Sequence, residues 1–324
     1  MRSRIAAGVR LIVIALFAST ALAQGYPSKM VRVIVPFPPG GPTDVVGRVL
    51  MEKILANWNN PVVAEYRPGG NTIIGTDAVA KSAPDGHTWL LTVFTHTTMP
   101  ALYKSLPFDP IADFAGAAML ASYPMVAVVP ASLPAASIAE LVALAKNQPG
   151  KLNYLLPAIG SSAQLNTELL KMNAGIDVTA VPYKGLAPGM PDLLSGRLSF
   201  AFMTLSLAVP HIKTGKLRAL AVASRRRATQ LPGVPTMAEA GYPDAQVVGW
   251  VAILVPAKTP RDIVARINRE VTRALADPEV MRRVEEGGLI LENPLTPEEI
   301  DVTMRREKAR WAKFMKDARI ETQD

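Results

Sequence analysis

Short apolar runs rich in β-branched residues alternate along the chain with longer stretches in which apolar residues recur every three or four positions. The short runs are typical of buried strands, because Val and Ile fit a pleated surface. The longer stretches are typical of helices that bury one face, as Val46, Val49, Leu50 and Ile54 do after the strand predicted for residues 31–35. Alternating strands and helices predict an α/β fold, in which ligands bind at the carboxyl ends of the strands.

The alternation occurs in two successive blocks, which predicts two lobes. The second block begins with a strand at residues 125–129. A long apolar run at residues 247–255 then predicts a strand that returns the chain to the first lobe, before a helical C-terminal region. We therefore expect lobe I to comprise residues 24–122 and 248–324, and lobe II to comprise residues 123–247.

The first 23 residues have the pattern of a signal peptide. Arg2, Arg4 and Arg10 precede an apolar run at residues 11–18, and small residues lead up to a cleavage site near Ala23. The apolar run is too short to span a bilayer, which needs about 20 residues. The sequence therefore predicts export, and a periplasmic protein from which residues 1–23 have been removed.

Charge and composition exclude several function classes. The formal net charge of +8 falls to +5 without the three arginines of the leader, and the remaining basic residues are scattered. No basic face typical of nucleic-acid binding is evident, so we expect no nucleic-acid partner. The chain has no cysteine and only three histidines, none at metal-ligand spacing, so we expect neither a metal nor a cofactor.

The loop after the first predicted strand is the clearest candidate for a binding site. Pro36 ends the strand, Gly40 and Gly41 allow close approach to the backbone, and Pro42 suits the first position of a helix. A strand, a glycine turn and a helix start together present unpaired amides that favour an anion. Neither the phosphate-loop motif nor the dinucleotide fingerprint is present, so the motif leaves open a carboxylate, a phosphate or a plain turn.

A second unit of the same kind follows in the other block. A strand predicted at residues 152–156 leads into a turn of small residues at 157–162, and a helix is predicted at 163–174. The two units would face each other if both lie at the carboxyl ends of their strands.

Several motifs resemble the receptors of tripartite tricarboxylate transporters, the Bug-type solute-binding proteins. They extend in order over the whole chain after the leader. They are Pro36-Phe37-Pro38-Pro39-Gly40-Gly41 with Thr43-Asp44, Arg67-Pro68-Gly69, Gly75-Thr76-Asp77, Ala83-Pro84-Asp85-Gly86, Leu106-Pro107-Phe108-Asp109-Pro110, Pro149-Gly150-Lys151-Leu152-Asn153-Tyr154, Val181-Pro182-Tyr183-Lys184-Gly185, Gly215-Lys216-Leu217-Arg218-Ala219-Leu220 and Ala276-Asp277-Pro278-Glu279.

The resemblance implies a two-lobed periplasmic-binding-protein fold of the type II-like, Venus flytrap kind, an α/β architecture with mixed or parallel sheets flanked by helices. It implies a monomer that closes over a small organic carboxylate and delivers it to the membrane components of a tripartite tricarboxylate transporter. In lobe I the implied ligand contacts are Phe37, Pro39, Gly41, Thr43, Asp44, Thr95 and His96. In lobe II they are Ala158, Gly160, Ser161, Ser162, Gln164, Tyr183, Met203 and Thr204.

Two departures from the family pattern bear on the ligand. Where many members have Gly-Ser-Thr-Ser-His-Leu, this chain has Gly-Ser-Ser-Ala-Gln-Leu at residues 160–165, and where many have Phe-Asp-Asn it has Phe-Met-Thr at residues 202–204. The missing acid removes a partner for a ligand ammonium, so we expect a carboxylate without an amino group, either a di- or tricarboxylate or an aromatic acid. Met203 and Phe94 are expected to add apolar wall to the site.

Other interpretations stay open from the sequence. A sensor receptor would bind the same ligand but report it to a signalling membrane partner. A secreted hydrolase could use Ser161 or Ser162 with His96, although the Gly-x-Ser-x-Gly frame is absent, and we expect no enzymatic activity. Tyr183 and Lys184 either hold a carboxylate or pack at a lobe edge.

Overall fold

The computed structural model describes residues 25–56, 58, 60–318, 320 and 322, so the predicted signal peptide lies outside the described residues. Eleven strands occur in this part of the chain: β1 (Val31–Val35), β2 (Val62–Tyr66), β3 (Thr88–Val93), β4 (Phe114–Tyr123), β5 (Met125–Pro130), β6 (Asn153–Leu156), β7 (Thr179–Pro182), β8 (Ala201–Thr204), β9 (Leu217–Ala223), β10 (Gly249–Pro256) and β11 (Ile290–Leu291).

Helices cover the strands on both faces, as the alternation in the sequence predicts. Within the described ranges they are α1 (Pro42–Leu55), α2 (Ile73–Ala80), α3 (Thr95–Leu102), α4 (Ile138–Asn147), α5 (Ser162–Ala174), α6 (Leu186–Leu194), α7 (Leu205–Lys213), α8 (Arg261–Leu275), α9 (Pro278–Glu286) and α10 (Pro297–Asp317). A single 3₁₀ turn, Gly70–Thr72, precedes α2. None of the helices that the structure describes is long and apolar enough to cross a membrane.

The first sheet is mixed and has the strand order β11-β4-β10-β3-β1-β2. β1 pairs in parallel with β2 and β3, whereas β10 runs antiparallel to β3 and β4. Every residue of β3 and β10 is buried, as expected for strands covered on both faces. This sheet, with α1 to α3 and α8 to α10, forms lobe I.

A three-stranded sheet and a two-stranded sheet form lobe II with α4 to α7. β5 lies between β8 and β9, antiparallel to both, and β6 pairs in parallel with β7. The two parts are joined where the Leu155 N–H donates to the Phe200 carbonyl at 3.3 Å. The molecule therefore has two α/β lobes with separate sheets, as the sequence predicts.

The chain crosses between the sheets twice. It leaves the first sheet at Pro124, between β4 and β5, and it returns through residues 224–248 to β10. The Asn166 side chain of α5 exchanges two hydrogen bonds of 2.8 Å with the backbone of Val247, so the end of the return segment is fixed to lobe II. The exact limits at residues 122/123 and 247/248 stay a prediction.

Candidate functional site

A cavity of about 150 Å³ lies between the two lobes. Residues at the starts of five helices border it: α1 and α3 of lobe I, and α5, α6 and α7 of lobe II. The first amides of a helix have no acceptor within the helix, and the aligned peptide dipoles leave positive potential there. Five such ends around one cavity make it a favourable place for an anion.

The turn from β1 into α1 supplies the lobe I wall. Pro42 is the first helical residue and has no N–H to satisfy. The amides of Asp44 and Val45 both donate to the Gly41 carbonyl, at 3.0 and 3.2 Å. The amide of Thr43, a buried residue that borders the cavity, is then the first-turn donor left for a ligand.

Asp44 braces this turn and does not border the cavity. Its carboxylate accepts hydrogen bonds from the Gly40 N–H (3.1 Å), from the Tyr66 hydroxyl (2.5 Å) and from Arg48 (3.1 and 3.2 Å). Partial burial opposes ionisation, but the bonds from Tyr66, Arg48 and Gly40 outweigh it and hold the pKa of Asp44 below its usual range. The charge therefore fixes the loop that carries the glycines.

The turn from β6 into α5 supplies the facing wall in lobe II. The Ser161 hydroxyl caps α5 by accepting from the Gln164 N–H at 3.3 Å, and Gln164 Oε1 accepts from the Gly160 N–H at 2.7 Å. Gln164 and Gly160 therefore close the turn and do not border the cavity. The amides of Ser162 and Ala163, at the first two positions of the helix, have no intrahelical acceptor and belong to residues that do border it.

The same turn is held against lobe I. The Thr98 hydroxyl donates to the Gly160 carbonyl at 3.0 Å, and the Asn71 side chain donates to the Ile159 carbonyl at 3.2 Å. Gly160 has φ +74°, and a Cβ atom there would fall 2.5 Å from Leu102 Cδ1. Glycine is thus required both by the backbone conformation and by the close approach of α3.

Tyr123 borders the cavity at the end of β4, beside the first crossing. Its hydroxyl makes a hydrogen bond with the Ser162 side chain, and burial raises its pKa. Met125, at the start of β5, also borders the cavity. Neither residue is predicted as a contact from the sequence.

Lobe II completes the wall with the segment before α6. The Tyr183 hydroxyl donates to Asp192 at 2.6 Å, and Tyr183 does not border the cavity, whereas Lys184, Gly185 and Leu186 do. Lys184 is the only charged residue among the described residues that border the cavity.

Alternation along β8 separates two predicted contacts. Thr204 borders the cavity, whereas Met203 is fully buried in a cluster with Val126, Val128 and Leu155 inside lobe II. Phe94 is likewise not part of the cavity wall, because its ring packs in the core against Trp311, with ring centroids 5.2 Å apart. The structure therefore does not place the expected apolar wall on these two residues.

His96, the second residue of α3, does not border the cavity either, because its side chain is buried in the core. Its Nε2–H donates to the Pro110 carbonyl at 2.6 Å, and its ring packs edge-on against Phe114. Burial lowers the pKa of His96 to about 4, so the ring is neutral. His96 Nδ1 has no hydrogen-bond partner among the described residues, so it forms no Ser–His pair with Ser161 or Ser162 of the kind that a serine hydrolase requires.

The predicted contacts thus fall into two groups. Those that border the cavity are Phe37, Pro39, Gly41, Thr43, Thr95, Ala158, Ser161, Ser162 and Thr204. Those that do not are Asp44, His96, Gly160, Gln164, Tyr183 and Met203. Lys184, for which the sequence left open a carboxylate contact or packing at a lobe edge, borders the cavity. Lining residues that are not predicted from the sequence include Val93, Tyr123, Met125, Gly185, Leu186, Ala187, Pro188 and Leu207.

Gly185 and Tyr123 differ in whether the nearby sequence could have revealed them as cavity residues. A glycine that follows Tyr183-Lys184 and precedes a helix is a third turn of the predicted kind, so Gly185 and the start of α6 could have been found. The position of Tyr123 depends on strand pairing far along the chain and has no local signal. In the described part of the chain, no group of His, Cys, Asp and Glu side chains could hold a metal ion.

Comparison with known proteins finds relatives over nearly the whole chain. The family model described as "Tripartite tricarboxylate transporter family receptor" matches residues 46–318. Protein BugT of Bordetella pertussis (strain Tohama I) is 36% identical over 320 residues, which cover 95% of this chain and 96% of BugT.

Solved structures agree with these sequence matches. Rpa4515 of R. palustris, solved with adipate, superposes with a TM-score of 0.87 at 32% identity, covering 92% of this chain and 100% of that chain. MatC from Rhodopseudomonas palustris, solved with bound malate, gives a TM-score of 0.82 at 30% identity, covering 89% of this chain and 99% of that chain. The chain belongs to the tripartite tricarboxylate transporter receptor family.

Proposed function

We propose that this protein is a periplasmic solute-binding receptor that captures a small carboxylate between its lobes and delivers it to the membrane components of a tripartite tricarboxylate transporter. The observation that carries the proposal is the convergence of five helix starts on one cavity with no acidic residue in its described wall. The same wall contains Lys184, which adds a full positive charge.

A carboxylate removed from water needs a hydrogen-bond donor for each of its oxygens, because an unpaired buried charge is very unfavourable. The amides of Thr43, Ser162 and Ala163 are available from two facing helix starts. Thr95 also borders the cavity, and its buried Oγ1 has no hydrogen-bond partner among the described residues, so a ligand oxygen would give it one. These donors are fixed by the backbone before the ligand arrives, which favours binding.

The two ligands found in relatives support the same class of substrate. Adipate in Rpa4515 and malate in MatC are both small dicarboxylates. An engineered cavity of about 150 Å³ holds one benzene molecule, so the space between these lobes suits a ligand of that order. We infer a di- or tricarboxylate, or an aromatic acid of similar size, without an amino group.

Binding would act on the balance between open and closed lobes. Contacts from both lobes exist only when the cleft is shut, so a ligand that makes them shifts the population towards the closed state. The hinge would lie at the two crossings, near residues 122/123 and 247/248. No bond of the ligand changes in this cycle, so the proposed receptor is not an enzyme, and it acts as a monomer.

The experiment is isothermal titration of residues 24–324 with succinate, adipate, citrate, benzoate, aspartate, glutamate and the diamide of adipic acid, after native mass spectrometry of the freshly purified protein. We expect binding of at least one acid and none of the diamide, which cannot use the anion-selective donors. Tight binding of aspartate or glutamate, with none of the simple acids bound, would contradict the proposed ligand class. A serine-dependent esterase activity lost in Ser162→Ala would contradict the non-enzymatic assignment.

A further inference from the structure

Lys184 stands apart from the rest of the cavity wall. It is exposed, and no carboxylate pairs with it in the part of the chain that the structure describes. The other described residues that border the cavity offer backbone amides, hydroxyls and apolar carbon, so among them Lys184 is the one charged residue that a ligand can meet.

The backbone around Lys184 is held in place. The Tyr183 N–H donates to the Leu156 carbonyl at 2.8 Å, and the Gly185 N–H donates to the Pro157 carbonyl at 3.0 Å. These bonds extend the β6–β7 pairing beyond its end, and the Tyr183 side chain is turned to Asp192. Lys184 is therefore presented to the cavity by a segment fixed on both sides, next to the first amides of α6.

We propose that Lys184 is the counter-ion for a second carboxylate of the ligand, which makes the protein a dicarboxylate receptor and excludes ω-amino acids and simple monocarboxylates as preferred ligands. The proposal rests on the proposed function and assigns the two ends of its ligand. One carboxylate binds at the starts of α1 and α5, and the other binds beside Lys184 and the start of α6.

Apolar side chains also border the cavity. Val93 of β3, Met125 of β5 and Leu207 of α7 are among them, and they suit a methylene chain or a ring between the two carboxylates better than a hydroxylated or charged middle section. A neutral ligand end gains no charge-assisted bond from the ammonium, and an ammonium end meets like charge. The wall thus selects against both alternatives.

The test compares three C6 probes: adipate, hexanoate and 6-aminohexanoate. In the unmodified protein we expect the order adipate, then hexanoate, then 6-aminohexanoate. Lys184→Gln should weaken adipate about tenfold, the effect of losing one charge-assisted contact, and should change hexanoate less than about twofold. Lys184→Glu should reverse the order, so that 6-aminohexanoate binds more tightly than adipate. Lys216→Gln, an exposed lysine of the same lobe, is the matched control and should change none of the three.

The outcomes distinguish a failure of the proposed receptor function from a failure of the role assigned to Lys184. If no carboxylate of any length binds the unmodified protein, the proposed function fails. If carboxylates bind but Lys184→Gln lowers the affinity for adipate and for hexanoate equally, or lowers neither, the assignment of Lys184 fails while the receptor function stands. Succinate and butyrate, the four-carbon counterparts of adipate and hexanoate, are titrated in the same way in case the site binds a shorter ligand. Circular dichroism melting of each variant excludes unfolding as the cause.

Discussion

The ring of Tyr123 lies directly against the backbone of Gly249, so closely that a Cβ atom at residue 249 would fall 2.1 Å from Tyr123 Cζ. The two residues pair across β4 and β10 at the ends where the chain crosses between the lobes. Because the same ring borders the cavity, the absence of a side chain at residue 249 sets the position of part of the binding site.

We expect Gly249→Ala to lower both stability and ligand affinity. Displacing a packed aromatic ring to admit one methyl group costs about 1–3 kcal/mol of the free energy of unfolding. The displaced ring also loses its hydrogen bond with Ser162 and intrudes on the cavity. Urea unfolding and isothermal titration with the best-bound acid measure the two effects.

Gly233→Ala is the matched control for this prediction. A Cβ atom at Gly233 meets nothing within 4 Å, so the variant should be close to neutral in both measurements. The double variant Tyr123→Ala with Gly249→Ala should be no less stable than Tyr123→Ala alone, because the clash is then gone. If Gly249→Ala lowers the free energy of unfolding equally in the unmodified protein and in Tyr123→Ala, the clash with the ring is not the cause.

Asp44 should act on binding through the loop and not by contact. Asp44→Asn keeps an acceptor for the Gly40 N–H but removes the charge that pairs with Arg48, and we expect it to lower the free energy of unfolding by about 1 kcal/mol at pH 7. Its pKa is depressed in the folded state, so the stabilisation is present above the unfolded value of about 3.9 and is lost as the pH falls below it. Urea unfolding at pH 7, 5, 4 and 3 measures this.

The expected result is a difference between the unmodified protein and Asp44→Asn that is constant above about pH 5 and shrinks below about pH 4. Asp244→Asn, an exposed site outside the cavity, provides the control for loss of one carboxylate. A difference that grows on acidification would mean that the carboxylate is destabilised by its surroundings.

His96 should control the pH dependence of stability and leave ligand affinity unchanged. The unfolded residue titrates near pH 6.5 and the buried one near pH 4, so between these values the unfolded chain binds a proton that the native protein does not. Stability therefore falls as the pH is lowered through this range, by about 2 kcal/mol between pH 7 and pH 5. Unfolding of His96→Gln at the same two pH values should lack this component.

Titration of His96→Gln with the best-bound acid at pH 7 tests the prediction from the sequence that His96 contacts the ligand. The ring hydrogen-bonds to Pro110 and does not border the cavity, so we expect less than about a twofold change in the dissociation constant. His211→Gln, on the outer end of α7, serves as the control for loss of a histidine. A tenfold loss in His96→Gln alone would restore the residue to the binding site.

The sequence predicts elements well where the signal is local. The strand at residues 31–35 and the start of a helix at Pro42 follow from a β-branched run, glycines and a proline, and both are present. By contrast, β4 has the sequence Phe-Ala-Gly-Ala-Ala-Met-Leu-Ala-Ser-Tyr, which favours no strand, and it is extended because β10 pairs with it. Helix α6 contains Pro191 and Gly189, so only its packing on β6 explains it.

The same distinction holds for the binding site. Backbone turns at helix starts follow from short motifs, and Gly41, Thr43, Ser161 and Ser162, which those motifs contain, border the cavity. Side-chain direction depends on partners distant in sequence, such as Tyr66 for Asp44 and Pro110 for His96. These polar side chains bond to the protein itself, and a sequence pattern does not distinguish that use from ligand contact.

Two glycines at opposite ends of α5 allow a final prediction about how the lobes meet. Gly160, before the helix, has φ +74°, and Gly175, at its C-cap, has φ +62°. A side chain at either position is strained, by about 1 kcal/mol. Only at Gly160 would the new methyl group also meet the other lobe, 2.5 Å from Leu102 and 2.7 Å from Thr98, whereas at Gly175 it meets nothing within 4 Å.

We therefore expect Gly160→Ala and Gly175→Ala to lose similar stability from the backbone, with a further loss at Gly160 from contact between the lobes. The dissociation constant for the best-bound acid should rise at least about tenfold in Gly160→Ala and should not change in Gly175→Ala. The reason is that closing the cleft between the lobes must bring the turn before α5 against α3, where the Thr98 hydroxyl donates a hydrogen bond to the Gly160 carbonyl. Equal affinity in the two variants, measured by isothermal titration, would mean that ligand binding does not require this contact.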